Sequence, residues 1–448
     1  MIDVDHINNP RRPARRDRYS LGLHYSISQP TPSENHMPAS DLPTLRLITA
    51  RSRTGEMIDV LLDRGVDGRA RVKNIAPGGS IGEVDGHLVL DDHVLLPPAA
   101  DPHAHLDKAL SWNVLNPQVG DLGAAIDCWR AGAERFDEES FYRRAHRAAT
   151  TMLERGTTAV RTHVDVLADD DPYRAIRAID RVRHELRPFM TIQIALLAPP
   201  GTPDDVIHGA LDVGADLVGG APHIADDPVA EVARLIHIAE TRCVGVDLHT
   251  DEFLAGDHTT IGTYAELVAH WPADVVRTAG HCCRLSTMDR QELSTSIDAL
   301  RNSGISVVAL PITNLYLQGR ADDGRGAPRG IAPLSALADG GVRVAAGADN
   351  IRDPFNPMGS GDALETASLL VTTGHQIPAT AIDLVTSSAR SVLGLAEAGP
   401  VVGALADFMA VRGADQIEAM ATTPDARVVI VDGRIISRTK SSTWSVFD

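Results

Sequence analysis

Apolar and polar positions follow two textures along this chain. From about residue 44 come short β-rich runs broken by glycine turns, TLRLITARS, MIDVLLD, ARVKNIAPGG and HLVLDDHVLLP, and the same texture returns in DFMAVRG and ARVVIVDGRIIS. They predict two halves of one small β domain, residues 42–97 and 401–441. Between them, runs rich in Val, Ile and Ala (HVLLPPAADPHAH, TTAVRTHVD, MTIQIALLA, ADLVGGAPH, VGVDLHTDE, VVRTAGHCC, SVVALPITN, VRVAAGADN) alternate with helically spaced segments such as SFYRRAHRAATTMLERG and DPVAEVARLIHIAETR. Eight strands alternating with helices over about 300 residues meet the requirement of a (β/α)8 barrel. The expected class is therefore α/β: a TIM barrel over residues 98–400, with a small β-sandwich built from N- and C-terminal segments. An open doubly wound sheet would carry a glycine-rich first turn leading into a helix, and none is seen.

Residues 1–41, including NNPRRPARRDRY and SISQPTPSENHMPASD, are polar, proline-bearing and aperiodic, and read as a disordered tail. Met37 lies just before the first regular pattern, so translation is expected to start at either Met1 or Met37. The chain is 448 residues long and 43% hydrophobic, enough for a large core. Its formal charge of −18 disfavours nucleic acid and anionic membrane as partners and favours a small neutral or cationic substrate. Four cysteines are too few to staple a secreted fold, and no apolar run approaches a membrane span, so a cytoplasmic location is expected.

In LLPPAADPHAHLDKAL, His103 and His105 share one face of an extended strand, because strand side chains alternate. Such a pair is either a chelate or two hydrogen-bonded structural histidines. Barrel enzymes carry their chemistry at the C-terminal ends of strands, where this chain collects polar residues: His249 and Glu252 after the fifth strand, His281 after the sixth, Asp349 after the eighth. His, His, His and Asp delivered to one mouth suit a borderline divalent ion. Taken singly, Asp349 also reads as a turn residue and His281 as a satisfied core histidine. Cys282 and Cys283 are adjacent, face opposite sides of a strand and read as small wall residues.

The motifs DPHAHLDK, RTHVDV, IQIALLA, DLVGGAPH, HTDE, GHCCRLSTM, NLYLQGR and GADNIRDPFNPMGSGD, in this order, resemble the amidohydrolase superfamily and within it the cytosine deaminase-like group, from about residue 44 onward. The resemblance implies one divalent ion, zinc or iron, on His103, His105, His249 and Asp349, with Glu252 and His281 acting on substrate and water. The fourth strand offers no lysine for the carboxylated bridge of two-metal branches. It implies hydrolytic deamination of a nitrogen heterocycle, cytosine-like, triazine or related: Asp349 accepts a proton, His281 steadies developing charge, and Glu252 protonates the ring or leaving amine. It also allows a homo-oligomer.

Two positions depart from cytosine deaminases. Where they carry a glutamine in a stretch of the type FPQEG, this chain has LAPPG with Pro199, and the aspartate after the metal aspartate is Asn350. HLDK with Lys108 and DNIRDP with Asn350 instead resemble the N-isopropylammelide hydrolase branch, which lacks the glutamate of HTDE. Lys108 reads as a rim ion pair with Asp107 or as a substrate contact, and Asn350 and Gln318 are further substrate-binding candidates. His163 and Asp165 are expected to support the site from behind. SWNVLNPQVGDLGAAIDCW and NLYLQGRADDGRGAPRG read as long loops walling the pocket, with Trp112 available for stacking. Ring-opening amide hydrolysis and a non-enzymatic binding protein are the alternative functions.

Overall fold

A computed structural model describes residues 42–256, 258–320, 327–442 and 444–446. The expectations for residues 1–41, including the tail and the choice of start, lie outside them.

Among the described residues the main strands form two sheets. One has eight parallel strands in chain order: Ala99–Ala104, Thr157–Asp165, Thr191–Ala198, Leu217–Gly220, Gly245–Thr250, Arg277–His281, Ser306–Ala309 and Val344–Ala346. Every one of the eight predicted runs contains one of these strands. First and last are joined by a parallel bridge between Ala104 and Asp349, where Asp349 N–H donates to the His103 carbonyl (2.9 Å) and His105 N–H to the Asp349 carbonyl (3.1 Å). The closing seam of the barrel is thus built from the backbone of candidate ligands.

The helices between the strands follow their sequence signals. Glu138–Glu154 starts at Asp137, whose carboxylate accepts Ser140 N–H (2.8 Å), and buries Phe141, Ala145, Ala148, Ala149 and Met152 along one stripe. Pro228–Arg242 has proline in its first turn behind the cap Asp227.

The other sheet has seven strands, Leu47–Arg51, Met57–Arg64, Ala70–Pro77, His87–Leu96, Phe408–Arg412, Arg427–Val431 and Arg434–Arg438. It curls onto itself around Ile48, Val60, Leu90, Phe408 and Ile430: Val72 N–H reaches the Ala404 carbonyl (3.0 Å), and Ala406 N–H the Ala70 carbonyl (2.8 Å). Asp432 and Gly433, both at positive φ, make the last hairpin turn, for which the Asp-Gly pair is suited.

Two local expectations are corrected. HVLLPPAADPHAH is not one strand: Pro97 and Pro98 donate no backbone hydrogen bond, so the run splits between the seven-stranded sheet and the barrel. The segment after the first barrel strand is not a plain loop. It contains a helix, Leu122–Gly132, capped by Asp121, and its i, i+3, i+4, i+7 spacing of Leu122, Ala125, Ile126 and Trp129 was readable as one amphipathic face.

Candidate metal centre and active site

Strand ends here turn sharply. Asp251, His281, Cys282 and Asp349 all sit at positive φ, between 46° and 66°, a region costly for non-glycine residues and tolerated where surrounding structure enforces it. Asp101 enforces one such turn: its carboxylate accepts the N–H groups of His103 (3.1 Å) and Ala348 (3.2 Å), stapling the first strand to the eighth. Sequence reasoning passed over Asp101.

The turns aim His103, His105, His249 and Asp349 at one buried spot. His105 Nε2 lies 3.2 Å from His249 Nε2 and 3.2 Å from Asp349 Oδ1, and His103 Nε2 lies 3.8 Å from the same oxygen. Ligand atoms about 2.0–2.1 Å from a tetrahedral zinc stand roughly 3.3 Å apart, so these separations fit a shared divalent cation. The fit is also chemical. Both ring nitrogens of His103, Nδ1 of His249 and both oxygens of Asp349 are buried without a hydrogen-bond partner among the described residues, a costly state unless something else satisfies them. Small residues make the room: a Cβ on Gly280 would stand 2.8 Å from His103 Nδ1, and one on Gly347 2.6 Å from Asp101 Oδ1. Burial and the neighbouring imidazoles hold His103 and His249 well below the usual imidazole range, and burial with the adjacent Lys108 ammonium does so for His105, which keeps them neutral and able to donate a lone pair.

Beside this group stand His281 and Glu252, with His281 Nδ1 3.3 Å from Glu252 Oε1. Asn314, the first residue of NLYLQGR and not among the residues expected at the site, ties them together: its Nδ2 donates to Glu252 Oε1 (3.1 Å) and to His281 Nδ1 (3.0 Å). With Nδ1 accepting, the ring proton falls on Nε2, which has no protein partner among the described residues. Burial lowers the His281 pKa to about 3, so the ring is a neutral donor. Burial, with Asp349 nearby, raises the Glu252 carboxyl well above the usual range and keeps it protonated.

A cavity opens on the group. His105, His249, Glu252, His281 and Asp349 form its floor, and Leu122, Ile126, Trp129, Leu197, Pro199, Pro200 and Phe355 give it apolar walls. Lys108 lines it too, and its ion pair with Asp107 is present. Its ammonium donates to Asp165 (2.6 Å) and Asp107 (3.1 Å) while facing the chamber. Asn350 lines the cavity, with its amide anchored on Asp353 (2.9 Å). Gln318 is placed differently: its amide donates to the Glu252 carbonyl (3.0 Å), and it is not among the lining residues. Trp112 is likewise absent from the lining, and Trp129 takes its place. His223 was also missed; its Nδ1 donates to the His249 carbonyl (3.0 Å), and burial lowers its pKa to about 4.

Beneath the ligands, His163 stacks on His103 (centroids 4.0 Å apart) and lies 3.5 Å from Asp247 Oδ1. The other Asp247 oxygen accepts Arg161 (2.7 Å), which also donates to Thr278 (3.0 Å) and Gln193 (2.9 Å).

Comparison with known proteins agrees with this geometry. A family model described as Amidohydrolase family matches residues 130–437. Pterin deaminase of Rhizobium rhizogenes is 30% identical over 377 residues, covering 82% of this chain and 86% of that one. Among solved structures, 5-methylcytosine deaminase from Klebsiella pneumoniae with 5-fluorocytosine superposes with a TM-score of 0.77 at 25% identity, over 89% of this chain and 99% of the other. N-isopropylammelide isopropylaminohydrolase from Burkholderia multivorans gives 0.71 at 27% identity, over 88% and 99%.

Proposed function

The chain belongs to the amidohydrolase family, and from that premise we propose that it is a metal-dependent deaminase of a nitrogen heterocycle, with His103, His105, His249 and Asp349 as the holders of one zinc or iron ion. The observation that carries this is the cluster of unsatisfied buried nitrogen and oxygen atoms on the cavity floor, beside a carboxyl group that burial keeps protonated. Three groupings share His103: with His105 and Asp349, with His249 and His281, and with His163 and Asp247; the last also keeps bare atoms, but Arg161 pairs with its carboxylate at 2.7 Å, which supports placing one ion on the mouth side.

When bound, the ion supplies Lewis acidity and lowers the pKa of a water from near 16 to roughly 7. The remaining work belongs to side chains. Asp349 accepts the proton released as water adds to the ring carbon. His281 donates from Nε2 to the oxygen on which charge develops. Glu252 delivers its proton to a ring nitrogen, the proton held by Asp349 completes the departing amine, and the proton of the added hydroxyl returns to Glu252, so that a C–N bond breaks, a C=O forms and ammonia or an alkylamine leaves. Lys108 and Asn350 bind polar edges of the ring, and the apolar walls take its faces. Pro199 lines the chamber without a side-chain donor, which favours rings other than cytosine. The pterin-deaminating relative makes pterin the first substrate to try.

Purified protein loaded with zinc or iron(II) and given pterins, triazines and pyrimidines is expected to release amine from one class, and to stop on chelation. Product masses that retain the nitrogen and add water would instead establish ring opening. A metal-loaded protein inert across the panel would overturn the proposal.

A further inference from the structure

Asp165 closes the second barrel strand, and its two oxygens serve two different elements. Oδ1 accepts the Lys108 ammonium (2.6 Å), and Oδ2 accepts the indole N–H of Trp129 (2.7 Å), which belongs to the helix Leu122–Gly132. Its own backbone N–H donates to Asp107 Oδ2 (3.1 Å), the oxygen that also takes Lys108 (3.1 Å). The ammonium is therefore held between two carboxylates, 5.3 Å from the centre of the indole ring. Of the eleven residues in the helix only Ala125, Trp129 and Gly132 are buried, so much of its attachment runs through Trp129, whose ring packs beside Phe136 and Phe141 and whose indole N–H is held by Asp165. Leu122, Ile126 and Trp129 line the cavity from that helix, and Lys108 and Asp165 line it from the barrel, Asp165 with both oxygens already engaged.

We propose that Asp165 is a positioning residue that latches this helix to the barrel, so that the ammonium of Lys108 and the aromatic wall of Trp129 meet substrate as one preset surface. Its effect falls on binding, because its own partners are Lys108, Trp129 and Asp107 rather than Glu252, His281 or Asp349, and it approaches the metal ligands only through Lys108, whose ammonium lies 3.3 Å from His105 Nδ1. An ion pair that merely stabilised the fold would leave the helix and the Michaelis constant alone. The kinetic consequence rests on the deaminase reading; the mechanical one does not.

The test uses the metal-loaded full chain, pterin as probe, and the variants Asp165→Asn, Trp129→Phe, Lys108→Met and the Asp165→Asn/Trp129→Phe pair. Hydrogen exchange across residues 122–132 should accelerate about tenfold in Asp165→Asn and Trp129→Phe, and not in Lys108→Met. KM should rise about tenfold in Asp165→Asn with kcat within about threefold of wild type, and the pair should be no worse than Asp165→Asn alone. Unchanged exchange in Trp129→Phe, additive effects in the pair, or a fall in kcat at constant KM would overturn the proposal. If Asp165→Asn does not fold, Trp129→Phe alone decides through exchange. A wild type inert toward pterin and the other rings of the panel would sink the deaminase reading, and the exchange experiment would still decide the latch.

Discussion

Two polar clusters share the interior of one barrel and are built in opposite ways. On the inner side, Arg161 spends its guanidinium on Asp247, Thr278 and Gln193, and Gln193 passes a hydrogen bond on to the Leu393 carbonyl (2.9 Å). At the mouth, His103, His249, His281 and Asp349 keep nitrogen and oxygen atoms bare. Arg161, Asp247 and Thr278 are as buried as the residues at the mouth, and Gln193 is half-buried. Burial of charge therefore does not separate structure from chemistry here; the partner given to the charge does, since Arg161 pairs with one Asp247 oxygen while the other and both His163 ring nitrogens stay bare like the atoms at the mouth. The boundary runs through Asp247, with one oxygen on Arg161 and the other facing His163.

The sharpest way to break the comparison is at the mouth. Asp349→Asn should cost at least about 10³-fold in deamination and lower the bound metal measured by elemental analysis, with little loss of thermal stability. A variant that kept its metal and rate would return Asp349 to being a turn residue. Truncation in the other cluster should do the reverse: Arg161→Met leaves Asp247 buried without its partner and is expected to cost about 3–5 kcal/mol in denaturant unfolding. Glu252→Gln should retain metal yet lose about 10²-fold in rate, because an amide cannot deliver the proton that the buried carboxyl holds.

A further expectation concerns Asp353, whose pKa burial raises from the ordinary 3.8 to about 7. A carboxyl with a raised folded pKa binds its proton more tightly in the native state, so its contribution is present below pH 3.8 and is lost as pH climbs toward 7. Asp353→Asn should flatten the fall in stability across that window by up to about 1.4 kcal/mol per pH unit. Parallel pH profiles in the two proteins would show that Asp353 ionises normally.

The alternation of apolar runs was enough to read the eight barrel strands, and the two-residue strand period with polar residues at strand ends was enough to bring histidines and Asp349 to one mouth; the choice of ligands among them came from the family resemblance. These are local signals, carried by spacing within a few residues. Asn314, Trp129, Asp101 and His223 were not legible in the same way. Asn314 matters only because a helix after the seventh strand brings it within 3.1 Å of Glu252, 62 positions away in the chain, and no short-range pattern encodes that approach. Gln318 shows the converse: a polar residue in a promising motif whose amide was claimed by a backbone carbonyl.

The sequence by itself determined the barrel, its order of strands and the chemical types available at its mouth, because periodicity and residue chemistry are properties of neighbours along the chain. Only the tertiary structure decided which of those groups are left bare, which are quenched by Arg161 or Asp165, and which wall faces the substrate. Those outcomes depend on hydrogen-bond partners supplied by distant segments, and a partner exists only once the barrel has closed.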